Sequence, residues 1–389
     1  MSILNANLLG ASGSPIMETA GWVQDATLPE GKALIDLSQA APASPPPEPI
    51  RQRLAEAMLH EPTAHFYGPV LGNSDLREAL AARTTTLYGG AVSAGHVAIT
   101  AGCNQAFCVA VATACGPGDA VALPAPWYFN HKMWLDMAGI ECVPLPCLPD
   151  MSPDPEAARD LPPHVRAIAL VSPNNPTGAE YPADLLDAFY RAARERGRLL
   201  ILDETYRDFH SSPGAPHRLF EHEDWPDVLA HLYSFSKAYR MTGHRTGALI
   251  TGEARIAQAE KFLDTVTICA AQSGQIAALF GLENLSAWVN EQRLVYLGRR
   301  RHLEALIAAH LPDWTLHGAG AYFAWVSPPF DLPSRETAQR LIAEQALLVL
   351  PGSYFMPEGT PTGALRIAFA NADDDGIAET ISRLAAFRP

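Results

Sequence analysis

Lysine is scarce in this chain: four residues among 389, at positions 32, 132, 237 and 261. Lysine and arginine together number 28 against 42 acids, a formal net charge of −14. A surface of that sign repels phosphate backbones, so nucleic acid is not an expected partner. No run of eighteen apolar residues occurs, which argues against a membrane span. Met1 to Gly10 has neither a basic flank nor a long apolar stretch, so no export signal is expected. The six cysteines at 103, 108, 115, 142, 147 and 269 form no CxxC pair and no zinc-type spacing with histidine. They read as reduced thiols of a cytoplasmic protein. Histidine pairs such as His217/His222 and His60/His65 are isolated in sequence, and no metal is expected.

What is present is a long alternation of helix and strand signals. The proline-rich stretch Ala40 to Pro49 can be neither helix nor central strand, and reads as an extended connector. Helices are predicted over 51–60, 75–88, 105–115, 130–138 and 183–196. The last two of these regions are followed closely by apolar runs, and Gly197 supplies a stop signal for the helix before it. Short apolar strands are predicted at 96–100, 120–123, 141–143, 165–171, 199–202 and 232–235. Such an order implies an α/β fold with a mostly parallel sheet sandwiched by helices. After about residue 285 the texture changes to an arginine-rich helical stretch at 289–310, then strand-like runs at 322–326, 347–350 and 365–369. The expectation is a large domain over 49–285 and a smaller α+β domain over 286–389, with residues 1–48 joining the small one.

Ligands of parallel α/β sheets collect at the carboxyl ends of strands. Thr100, Pro124, Ser172, Asp203 and Ser234 all fall there. The most informative neighbourhood is Ser234-Phe235-Ser236-Lys237, with Arg245 eight residues on. Upstream lie Asp203-Glu204-Thr205-Tyr206 and Asn174-Asn175-Pro176-Thr177-Gly178. A lysine in a small-polar turn, an acid ending an apolar run and a spaced arginine are what an enzyme needs to hold pyridoxal phosphate and use it as an electron sink.

Each demand of that cofactor has a candidate. Lys237 is the Schiff-base lysine; the other three lysines lack its serine-rich turn. Asp203 would pair with the protonated pyridine nitrogen, although an aspartate at a strand end also suits a helix N-cap. Tyr206 and Asn175 would reach the phenolic oxygen, Asn175 also belonging to a good turn sequence. Gly102, Cys103 and Asn104 open a helix whose free N–H groups would cradle the phosphate. Ser234, Ser236 and Arg245 would add hydroxyl and guanidinium donors. Cys103 as a catalytic nucleophile is the rival reading, with no histidine nearby in sequence. Tyr128, just past a strand end, would lie on the pyridine ring or simply pack in the core. Arg366, inside the apolar run 365–369, needs an anion: a substrate α-carboxylate held bidentately, or a structural salt bridge.

These residues occur in an order that resembles fold-type I pyridoxal-phosphate enzymes, in particular class I/II aminotransferases of the aspartate aminotransferase superfamily. The resemblance runs from about Asp36 to the C-terminus. Its markers are Tyr67 with Gly72, Ala101-Gly102-Cys103-Asn104, Pro117-Gly118-Asp119, the Asn174 turn, Asp203 to Tyr206, Ser234 to Lys237 with Arg245, and Arg366. It implies a homodimer with shared active sites, in which Tyr67 reaches the cofactor phosphate of the neighbouring subunit. It also implies a small domain that closes on substrate, and substrate contacts from Arg366, Asn175 and the segment at Ala40, where the family often has glycine. No second arginine for a dicarboxylate side chain is evident, and Trp127, Asn130 and His131 are candidates to shape the substrate pocket.

The expected activity is transfer of an α-amino group from an amino acid to a 2-oxo acid by a ping-pong route, Lys237 acting as general base. A carbon–sulfur lyase or related elimination enzyme is the alternative on the same scaffold. A non-catalytic pyridoxal-phosphate-binding regulator is disfavoured by the acidic balance and by the lack of a long N-terminal segment for a DNA-binding module.

Overall fold

The computed structural model describes residues 3–388. Its centre is a seven-stranded sheet in the order Val97–Thr100, Gly247–Ile250, Leu229–Ser234, Leu199–Asp203, Val165–Val171, Ala120–Pro124, Glu141–Leu145. Six strands run parallel; Gly247–Ile250 is antiparallel to both neighbours. The mostly parallel α/β sheet expected from the sequence is therefore the architecture. Because Gly247–Ile250 runs backwards, its first residue, Gly247, lies beside Thr100 and Ser234 at the edge where the parallel strands end.

The apolar runs sort themselves by the two-residue period of a strand. Leu200 and Leu202 enter one buried cluster with Tyr88, Phe189 and Phe220, while Leu199 and Ile201 enter another with Phe107 and Leu135. Ile168 and Leu170 divide from Ala167 and Ala169 in the same way. Helices thus cover both faces, and a fully buried leucine stabilises by about 1.5–3 kcal/mol. The helix Ala183–Glu195 buries Leu186, Phe189, Tyr190 and Ala193, an i, i+3, i+4, i+7 stripe. The helix Phe129–Ala138 stops at Gly139, whose left-handed φ of 69° lets its N–H turn back to the last carbonyls.

A second sheet of four antiparallel strands has the order Leu350–Pro351, Leu365–Ile367, Phe323–Ser327, Thr315–Gly320. The 25-residue helix Ser286–His310 and the helix Asp374–Ala386 pack beside it. The N-terminal chain pairs Ile35 and Asp36 in parallel with Leu347 and Leu348. The single strand predicted at 347–350 is in fact two: Leu347–Leu348 belongs to that pair, and Leu350–Pro351 to the edge of the four-stranded sheet. Pro351, with no N–H to give, is confined to such an edge. Among the described residues no helix is long and apolar enough to cross a membrane.

The two sheets meet at Gly178. Its φ is +77°, and a Cβ there would lie 2.3 Å from Gly320 N and 2.6 Å from Phe323 O. Both obstacles are backbone, so Gly178→Ala is expected to destabilise the protein by about 1–3 kcal/mol. Urea unfolding checks this through a lowered midpoint; an unchanged midpoint contradicts the close approach.

Candidate active site

Where the strands of the large sheet end, a cavity of about 530 Å³ opens, with Lys237, Asp203, Tyr206, Asn175, Arg245 and Arg366 on its walls. Lys237 stands on a four-residue helix, Phe235–Ala238, that begins as the strand ends. Ser234 caps this turn by accepting a hydrogen bond from Ser236 N at 3.3 Å. The Lys237 side chain is half-buried, and its Nζ donates to the Ala40 carbonyl at 2.5 Å. Burial, then the positive charges of Arg245 and Arg366, push its amine down to about 8. An amine tuned that way is still mostly protonated at pH 7 but gives up its proton far more readily than an ordinary lysine, as a nucleophile or base requires.

Asp203 ends its strand only 3% exposed. Oδ1 accepts from Thr205 N at 2.9 Å and lies 3.4 Å from the Cys103 thiol. His131 Nε2 lies 3.3 Å from Oδ2, in a ring stacked on Phe107 at 3.8 Å between centroids. Burial alone would raise the Asp203 carboxyl, but His131 and then Thr205 outweigh it and hold the group below its ordinary value. Asp203 is therefore a buried carboxylate, ready for a cationic partner.

The cradle is built from backbone. Gly102 has φ +85° and caps the helix Cys103–Ala112 with no side chain occupying its first N–H groups. A Cβ on Gly102 would lie 2.2 Å from Arg245 Nη2, and one on Gly247 would lie 2.6 Å from Gly102 C. Two glycines therefore let the helix start, the strand and the guanidinium converge, with Asn104, Ser234 and Ser236 beside them on the cavity wall. The Cys103 thiol is pushed well above its usual range by burial and by Asp203. Such a thiol is a poor nucleophile, which weighs against the rival reading of that residue.

Arg366 is 2% exposed and lies between Phe323 and Phe355, 4.9 and 5.0 Å from the ring centroids. Its Nη1 donates to Asn175 Oδ1 at 2.9 Å and Nη2 to the Ser38 carbonyl, while Nε has no partner. The contacts named here are all neutral, and burial pushes the guanidinium down to about 10, still charged at neutral pH. The salt-bridge alternative for Arg366 thus has no carboxylate among its hydrogen-bond partners. Tyr206 and Tyr128 are phenols raised by burial, Tyr128 to about 12. Tyr128 OH lies 3.4 Å from Asn104 Oδ1 and 2.9 Å from Asn130 Nδ2.

Not every predicted residue reaches this cavity. Tyr67 is 81% exposed and lines a separate groove with Gly68, Asn73 and Gln272. Of the three candidates for shaping the substrate pocket, Asn130 lines it, whereas Trp127 is buried in the core and His131 stands behind Asp203. Sequence reasoning missed Ser14, Ile16 and Met17, which the helix Pro15–Asp25 brings to the wall. That helix carries no motif, so only its place in the fold identifies it.

The residues fit pyridoxal phosphate on structural grounds: a buried carboxylate, a helix start capped by glycine with no side chain on its first N–H groups, and an amine of lowered pKa in one cavity. The family description "Aminotransferase class I and II" matches residues 32–384. The chain is 28% identical to the aromatic aminotransferase ISS1 of Arabidopsis thaliana, covering 91% of this chain and 88% of that one. It is 29% identical to the aspartate/prephenate aminotransferase of Thermus thermophilus, covering 89% of each. Aspartate aminotransferase from Thermus thermophilus with maleate superposes with a TM-score of 0.89 at 25% identity, over 99% of this chain and all of that one.

The depressed Lys237 amine has a consequence for stability. Between its folded value of about 8 and its ordinary 10.5, the unfolded chain binds a proton that the folded chain has shed, so stability gained from this group rises with pH across that window. Lys237→Met removes the buried charge. In cofactor-free protein, the variant is expected to be the more stable at about pH 7, with the gap narrowing toward about pH 10. Urea unfolding at both values measures it, and a gap independent of pH contradicts the assignment.

Proposed function

The chain belongs to the class I and II aminotransferases, and we propose that its Lys237 cavity moves the α-amino group of an amino acid to a 2-oxo acid in two successive half-reactions. The observation that carries this reading is the buried Arg366 guanidinium, hydrogen-bonded only to neutral groups and left with a free Nε–H. A buried cation in that state is stabilised by an anion entering from the cavity. A planar guanidinium matches a carboxylate in two parallel hydrogen bonds. Every amino acid and 2-oxo acid carries such a group.

Pyridoxal phosphate, the cofactor of this family, supplies a carbonyl that takes up the amino group and a cationic ring that takes up the electron pair left by the α-proton. The chain's own residues do the rest. Lys237 Nζ is the base that removes the α-proton, for which its lowered affinity for protons suits it. The Asp203 carboxylate, kept ionised by His131 and Thr205, would hold the ring nitrogen protonated. Tyr206 and the Asn175 amide, whose oxygen is already taken by Arg366, would donate to the phenolic oxygen. The first N–H groups of the helix Cys103–Ala112, with Ser234, Ser236 and Arg245, would bind the phosphate. Tyr128 would cover the ring. Ala40, whose carbonyl holds Lys237, would border the substrate carboxylate.

We further read the protein as a homodimer. Phe66 and Tyr67 are 67% and 81% exposed, which supports a role for them in contact with a second copy. Residues 1–48 with 286–389 would act as the small domain that closes over substrate. Six free cysteines support a reducing compartment such as the cytoplasm.

Arg366→Lys keeps the charge and loses the planar fork. Its kcat/KM is expected to fall about 100-fold with the cofactor retained. Steady-state kinetics with an amino donor and a 2-oxo acid should give parallel double-reciprocal lines. Release of pyruvate with ammonia or a thiol from the amino acid alone would point instead to elimination, and an unchanged kcat/KM would remove Arg366 from the substrate site.

A further inference from the structure

The strand period that turns Asp203 toward the cavity turns its neighbour Glu204 the opposite way, into the cluster that contains Tyr88 and Phe220. Glu204 is 1% exposed and bears two histidines and a phenol. Its Oε2 accepts from the Tyr88 hydroxyl and lies 2.7 Å from His231 Nε2. His217 Nε2 lies 3.5 Å from Oε1 without hydrogen-bond geometry. The His217 ring stacks on Tyr88 with centroids 4.6 Å apart. A buried carboxylate this costly to desolvate persists only where its surroundings hold it firmly.

The same phenol reaches a second point on the turn. Arg207 Nε donates to the Tyr88 oxygen at 2.9 Å, and Arg207 Nη1 pairs with Asp208 Oδ1 at 3.0 Å. Tyr88 therefore grips residues 204 and 207 at once. The segment between them carries Tyr206 to the opposite side, and Asp203 precedes it. Backbone bonds secure the ends: Glu204 N donates to the Leu232 carbonyl at 3.0 Å, Arg207 N to the Glu204 carbonyl at 3.0 Å.

We propose that Tyr88, through Glu204 and Arg207, is a positioning residue that sets Asp203 and Tyr206 against the cofactor from beneath the sheet. It touches neither the cofactor nor the substrate. Its hydroxyl ties two side chains of one loop to the end of a helix, Ser74–Tyr88, that belongs to a different layer. Active-site groups displaced by fractions of an ångström lose rate steeply, so this clasp acts on catalysis through geometry. The three ligand-type side chains Glu204, His217 and His231 lie close enough to share a cation, their nearest atoms within 4.8 Å. In the clasp Glu204 Oε2 is taken by Tyr88 and His231, His217 is held by its stack on Tyr88, and Arg207 supplies the neighbouring positive charge.

The inference rests on the reading that Asp203 and Tyr206 face the cofactor. Its test is Tyr88→Phe in the holoenzyme, which keeps the stacked ring and deletes the hydroxyl. The expected result is a kcat about tenfold lower with KM within about twofold, a shifted pH midpoint of the bound cofactor's visible absorbance, and faster cofactor release on dilution. Arg207→Met, which cuts one arm of the clasp, should move the same readouts in the same direction. Ile168→Val, a core change elsewhere in the sheet, serves as the stability control and should lower the melting temperature without moving the absorbance midpoint. If Tyr88→Phe only lowers the melting temperature, as the control does, the clasp is structural and the proposal fails. Stoichiometric zinc in the purified holoenzyme would also overturn it. Asp203→Asn separates the two levels: an unaltered cofactor spectrum there sinks the underlying reading, whereas an altered one beside an unaltered Tyr88→Phe sinks only the clasp.

Discussion

A surplus of positive charge in one cavity is the constraint around which this molecule is organised. Lys237, Arg245 and Arg366 converge on one cavity whose wall holds a single carboxylate, Asp203, in a protein of net charge −14. Each guanidinium lowers the proton affinity of the lysine. Like charges held this close repel one another, a cost that the proposed anions, a cofactor phosphate and a substrate carboxylate, would offset on binding.

The scaffold supports the pocket from both faces of one sheet. Odd-numbered residues of the strand 199–203 point to the side of Phe107 and His131, even-numbered ones to the side of Tyr88. Asp203 thus meets its histidine on one face of the sheet, while Glu204 meets two others on the opposite face. At Gly247 and Gly178 backbones come too close for a side chain, and at Gly102 the Arg245 guanidinium takes the space a Cβ would fill. Gly102 and Gly247 admit the guanidinium and the helix start to the cradle; Gly178 seats the Asn175 turn against the small sheet that carries Arg366.

Much of this was legible in the amino-acid sequence, for identifiable reasons. Continuous apolar runs bounded by glycine and proline announced the parallel strands, and two of them end on Asp203 and Ser234, which line the cavity. The lysine was singled out by rarity and by its serine-rich turn. Other features were not legible. The strand Gly247–Ile250 is four residues long, opens on glycine one residue after Thr246 and runs against its neighbours, so it does not fit the helix–strand alternation that announced the others. The helix Pro15–Asp25 reaches the cavity only through tertiary packing. His131 reads in the sequence as a candidate to shape the substrate pocket, but its partner lies 72 positions away (131 to 203). The buried group around Glu204 comes from Tyr88, His217 and His231, far apart in the chain and joined by no motif.

The account stands or falls on where the cofactor is attached. Borohydride reduction of the yellow holoenzyme, followed by peptide mapping, fixes the cofactor to whichever amine carries it. The label is predicted on Lys237 alone. A label on Lys32, Lys132 or Lys261, or a purified protein that never takes up a chromophore, would contradict it.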